Sequence, residues 1–185
     1  MQNLTGTHGT CVTHAENIKK TGCWNPTHQG RAGSGVYLWA HSNSSSSLRI
    51  ARGLAISWWQ HALKMKRYED APNKNGAIIY AAVAVPAEAF FDSTDMKFQD
   101  ALIEALETAN PDEAFEPDNI CKVTEYLILE LEKINGKKFD VIQARVPPPH
   151  KADFKEKIII GNPFCYIIRN TVNTVQCKKL EELKI

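Results

Sequence analysis

Nine apolar residues in a row, Ala77-Ile78-Ile79-Tyr80-Ala81-Ala82-Val83-Ala84-Val85, end at Pro86. The run is far too short to cross a bilayer, and its β-branched content makes it a central strand. Such a strand needs other elements to cover it, and the chain supplies helical patterns to do so. Leu48, Ala51, Ala55, Trp58, Ala62 and Met65 recur at spacings of three and four, which places them on one helical face. The run Asn43-Ser44-Ser45-Ser46-Ser47 just before them offers several N-caps.

The remaining elements follow the same logic. Thr13-His14-Ala15-Glu16 reads as a capping box that opens a short helix ending near Gly22. A third helix carries Phe98, Leu102, Ala105 and Ala109 and stops before Pro111. A fourth begins near Asp118, buries Ile120, Val123, Leu127, Leu131 and Ile134, and ends at Asn135-Gly136. Strands are expected over 35–40, 139–146, 157–160, 166–169 and 174–178, with Pro147-Pro148-Pro149 as a rigid break. Helices and strands mix early and strands dominate late, which predicts a single α+β domain over 1–185. Its 43% apolar and 23% charged residues describe an ordinary globule, and a net charge of +1 argues against a global nucleic-acid-binding field, though not against a local patch. Five scattered cysteines and no signal-peptide pattern at the N-terminus lead us to expect a cytoplasmic protein, with no membrane partner.

Two short motifs bear on chemistry. Thr7-His8-Gly9-Thr10 precedes the first helix, and Gly33-Ser34-Gly35-Val36-Tyr37-Leu38 follows some two dozen residues later. Together with Ile18 and Gly22 of the helix between them, they resemble ADP-ribosyltransferases, closest to the poly(ADP-ribose) polymerase and diphtheria-toxin branch with its histidine, tyrosine, glutamate signature. The resemblance covers roughly the first 70 residues and, more loosely, the last thirty. It implies a split, mostly antiparallel sheet flanked by helices, with NAD as co-substrate. It further implies that His8 bonds the adenine-side ribose and that Gly9 approaches the nicotinamide amide through its backbone. Tyr37 would stack on the nicotinamide ring, and a serine of the 42–47 run, Ser45, would bond the carboxamide. Thr10 and Gly35 complete the implied donor-binding set.

The third element of the signature departs from the family. If Tyr166-Ile167-Ile168-Arg169-Asn170 is the late strand, Cys165 stands where the catalytic glutamate belongs. If the strand is Lys157-Ile158-Ile159-Ile160, the glutamate is Glu156, and Gln143 on a neighbouring strand is a further substitute. A cysteine supplies negative charge only with a strongly lowered pKa. The resemblance implies mono-ADP-ribosyl transfer to a protein or nucleic-acid acceptor. A bacterial or phage toxin or a defence effector, with an antitoxin or regulatory partner, would suit it. Two alternatives stay open: a tRNA 2′-phosphotransferase, and a silent NAD or ADP-ribose binding module.

Several other features have plainer readings. Cys11, His14, Cys23 and His28 lack the paired knuckle spacing of a structural zinc site, so no metal is expected. Trp58 belongs to the apolar stripe as core, which leaves Trp59 as the tryptophan able to line a groove. Arg49, Arg52, Lys64, Lys66 and Arg67 form a solvated face that could meet the pyrophosphate of NAD. Glu125, Glu130 and Glu132 read as exposed helix positions, and His150 as an exposed histidine.

Overall fold

The computed structural model describes residues 1–28, 30, 32–109, 115–149, 161–172 and 174–183. In chain order the elements are β1 (Gln2–Cys11), α1 (Val12–Thr21), β2 (Val36–Ala40), α2 (Ser45–Lys64), β3 (Gly76–Val85), β4 (Phe90–Asp92), α3 (Met96–Ala109), α4 (Pro117–Asn135), β5 (Val141–Arg145), β6 (Phe164–Ile168) and β7 (Val175–Glu182). The strands form one seven-stranded sheet in the order β4-β5-β6-β2-β1-β3-β7. Neighbours run antiparallel except β4 and β5, which are parallel. The Ala77–Val85 run is β3, flanked by β1 and β7, with Ile78, Ile79 and Val85 fully buried.

The sheet is continuous rather than two separate halves. Its middle is nonetheless narrow: β1 pairs with β3 over ten residues but with β2 only at Gly6–Ala40 and Thr7–Trp39. Beyond Thr7 the two strands separate. Helices cover both faces. On one, α2, α3 and α4 enclose a core that includes Leu54, Phe98, Leu106, Ile128, Ile142 and Ile167. On the other, Val12, Ala15 and Ile18 of α1 pack with Trp24, Leu38, Ile79 and Ile168.

Tertiary packing overrides local rules at two helices. The capping box at Thr13 does not form, because β1 runs straight into α1 and Cys11 takes the N-cap position with no side-chain cap. Backbone carbonyls of the 73–75 segment do the capping instead, accepting from Val12 N (2.8 Å) and Thr13 N (3.4 Å). The Thr13 hydroxyl bonds both the N–H and the carbonyl of Asn73. In α2 the buried set is Ala51, Leu54, Ala55, Trp59 and Ala62, while Leu48 and Met65 are exposed. Both sets centre on Ala51, Ala55 and Ala62, so the buried face lies where expected; Leu54 and Trp59, on its two flanks at 100° per residue, are buried with it, and Trp58 is only half-buried. The shared Ala55 lies with its backbone against Gly9 of β1. The N-cap of α2 is Ser44, accepting from Ser47 N. Along α4, Ile134 is exposed, and Thr124 and Ile128 are the buried residues.

Candidate active site

The separation of β1 from β2 creates the site. Successive side chains alternate faces along a strand. Thr7 donates its hydroxyl to Ala51 O (2.8 Å) and Gly9 lies against Ala55, so both face α2. His8 therefore points to the α1 side, where its ring meets Trp24 edge-on at 5.7 Å. Its Nδ1 lies 2.9 Å from Tyr37 O. A carbonyl can only accept, so Nδ1 carries the proton and Nε2 remains as the nitrogen available to a ligand. Burial is the main cause of a lowered His8 pKa, with His14 adding to it against the opposing bond to Tyr37, so the ring is neutral at pH 7.

Tyr37 is held as firmly. Its hydroxyl donates to Gly33 O (2.6 Å) and accepts from Ala32 N (3.0 Å), and burial raises its pKa. The loop crosses close above the ring. A Cβ added at Gly30 would stand 2.4 Å from two Tyr37 ring carbons, so only glycine allows this approach. The loop is anchored from behind by α4: the Cys121 thiol donates to Gly30 O (2.8 Å), and Glu125 accepts from Ser34 N (2.8 Å). Glu125 and Glu132 together clasp Arg169 at 3.0 and 2.7 Å. Both glutamates are thus built into the fold rather than solvated, and only Glu130, paired with Lys133, behaves as an open helix position.

Two adjoining hollows of about 220 and 260 Å³ share His8, Thr27, Tyr37, Trp58 and Arg67. The first adds Gly9, His61 and the proline turn through Pro147 and Pro149; the second adds Thr10, His14, Gly35 and Tyr68. Trp58 packs with the His61 ring at 5.7 Å and lies under the Arg67 guanidinium at 5.6 Å. Trp59 is the core tryptophan, 7% exposed, with its indole N–H on Lys74 O. The two tryptophans thus exchange their expected roles: Trp59, on the flank of the α2 face, is buried, and Trp58 lines the cleft. His61 belongs to neither sequence motif, although its i+3 offset from Trp58 marks it as a neighbour on one helical face.

The structure brings His8, Gly9, Thr10, Gly35 and Tyr37 to one cleft, but not Ser45. The serine run begins α2, and Trp58 lies about 20 Å further along the helix axis. Ser45 is exposed, while Ser42 and Ser47 line a different groove. Cys165 is fully buried on β6 opposite Trp39, inside the α2–α4 core, and burial raises its thiol pKa well above the ordinary value. It does not line the cleft and is not a thiolate, so it cannot replace a glutamate. Gln143 lies in the other groove, where its amide donates to Asp92 (3.2 Å). Glu156, His150 and the expected strand over 157–160 fall outside the described residues. Among the described residues no Asp or Glu lines the two hollows, and no cluster of His, Cys, Asp or Glu could hold a metal ion.

The lowered His8 pKa has a measurable consequence. The folded state disfavours protonation, so the stability tied to neutral His8 is complete above the ordinary value of 6.5 and is lost as pH falls below it. Thermal unfolding of wild type and His8→Gln should converge on acidification from pH 7.5 to 5.5, and a constant gap would contradict the assignment.

Set against known proteins, the chain matches no protein-family model, no curated protein and no solved structure. Among the described residues no helix is long and apolar enough to cross a membrane.

Proposed function

We propose that the cleft between β1 and β2 is an NAD site and that the chain is a mono-ADP-ribosyltransferase. The observation that carries this reading is the neutral, tautomer-fixed His8 at the point where the strands part, beside Tyr37 and the Trp58–Arg67 pair. His8 Nε2 accepts a hydrogen bond from a ribose hydroxyl. Tyr37 flanks the nicotinamide from within its loop. Arg67 faces the pyrophosphate, and a lining of neutral and cationic groups suits that anion. In the transfer itself, the bond from ribose to nicotinamide breaks with its electron pair going to the ring nitrogen. An acceptor nucleophile then bonds the ribose carbon and gives up its proton to solvent water. Positive charge develops on the sugar meanwhile, and the carboxylate proposed to stabilise it is Glu156.

A second reading is a module that binds NAD or ADP-ribose without transfer, favoured by the absence of Asp and Glu from the described cleft lining. The phosphotransferase alternative needs several arginines around its phosphate, and Arg67 is the arginine that lines the cleft among the described residues. Mass spectrometry of a cell lysate treated with the protein and NAD separates these readings. Transfer predicts ADP-ribosylated products that vanish with His8→Ala and Tyr37→Ala. Products undiminished in both variants would refute the site, and NAD binding without any product would leave the silent module.

A further inference from the structure

We propose that the groove at the other end of the strands binds single-stranded nucleic acid. This groove encloses about 1160 Å³ and, among the described residues, shares no lining residue with the NAD cleft, so the proposal does not rest on that reading. It exceeds the roughly 300–1,000 Å³ of a small-molecule pocket, and suits several linked units rather than one small ligand.

Its chemistry is one-sided in charge. Among the described residues no Asp or Glu lines it, while Arg145 and Lys178, both exposed, enter from β5 and β7, the Arg145 guanidinium also donating to Asn162 O (3.0 Å). Asp92, a carboxylate close to Tyr166, accepts from the Gln143 amide (3.2 Å). In a chain of net charge +1, this is a local basic patch. Two aromatic side chains stand among the cations. Phe164 is 37% exposed, with the Arg145 guanidinium 4.2 Å from its ring centroid, and Tyr166 follows two residues along β6. Residues at that spacing share a strand face about 7 Å apart. The Asn43 and Gln176 side chains add amides that can both donate to and accept from base edges.

Rings that stack on unpaired bases, beside cations that track phosphates, are what a single strand requires. A duplex hides its base faces, and an acidic peptide would use the cations and leave the rings idle. The test is fluorescence anisotropy on the full chain, with a labelled oligonucleotide of about 12 residues as single-stranded RNA, single-stranded DNA or duplex. A glutamate-rich peptide serves as the fourth probe. One or both single strands should bind more tightly than the duplex and the peptide. Phe164→Ala should weaken that binding about five-fold or more. Lys178→Ala should lower the salt slope of log K by about 0.7, while NAD binding stays unchanged in both. Near-UV circular dichroism confirms that Phe164→Ala is folded; if it is not, the exposed Lys178→Ala decides. Absence of single-strand binding at low salt, equal or tighter binding of the duplex or the peptide, or a salt slope unmoved by Lys178→Ala would overturn the proposal.

Discussion

Gly9→Ala is expected to destabilise the protein by about 3 kcal/mol or more, the upper end of the cost of overpacking a core. The added Cβ would sit 1.8 Å from Ala55 O and 2.6 Å from its carbonyl carbon. Those atoms belong to the α2 backbone, so no side-chain rotation relieves the clash and the whole helix must move off β1. Gly53, on the exposed side of the same helix, has open space within 4 Å of where a methyl group would stand. Gly53→Ala should therefore stabilise by about 1 kcal/mol, the helix-propensity difference between the two residues. Chemical denaturation of the two variants beside wild type reads both signs at once. Equal effects would mean that α2 does not rest on Gly9.

Arg169→Ala should cost about 2–4 kcal/mol, or roughly 5–10 °C in thermal midpoint for a chain of this size. The guanidinium is 17% exposed and joins Glu125 and Glu132, themselves 23% and 10% exposed. Removing it leaves two carboxylates in a poorly solvated site, each still accepting from a backbone N–H, of Ser34 and Phe139 respectively. The residual exposure keeps the expected cost below that of a fully buried pair. Arg169→Lys should recover little, because one ammonium cannot span both partners as the planar fork does. Glu132→Gln in the Arg169→Ala background should restore part of the loss by removing one stranded charge. Calorimetric scans of the four proteins test this, and a loss under about 1 kcal/mol for Arg169→Ala would show the cluster to be an ordinary surface pair. The same lesion should loosen the loop over Tyr37, since Ser34 hangs from Glu125.

These residues also show what the chain makes legible and what it conceals. The Ala77–Val85 strand, the Gly22 and Gly136 helix ends and the approximate span of α2 follow from local pattern, and the structure agrees. The nearness of His8, Gly9 and Tyr37 follows from motif order. What local pattern does not supply is orientation. Trp58 lies nearer the centre of the apolar stripe than Trp59, yet Trp59 is the buried one, because Cys11, Tyr68 and Ala71 from outside the helix cover it. The resemblance implies a serine of the 42–47 run at the cleft, yet β2 runs away from the cleft between Tyr37 and Ala40, so these serines begin α2 at the opposite end of the sheet. Gly9 itself is small because a helix lies on it, a reason invisible without the fold. Glu125, Glu132 and Arg169 have no local signature, being separated by up to 44 residues along the chain.

If His8 grips NAD where β1 and β2 part, isothermal titration calorimetry of NAD into wild type, His8→Ala and Phe164→Ala shows it most directly. Saturable binding is expected for wild type and for Phe164→Ala, with His8→Ala weakened at least about ten-fold, or about 1.4 kcal/mol, the scale of one lost hydrogen bond. No NAD binding by wild type, or an affinity unchanged in a folded His8→Ala, would contradict it.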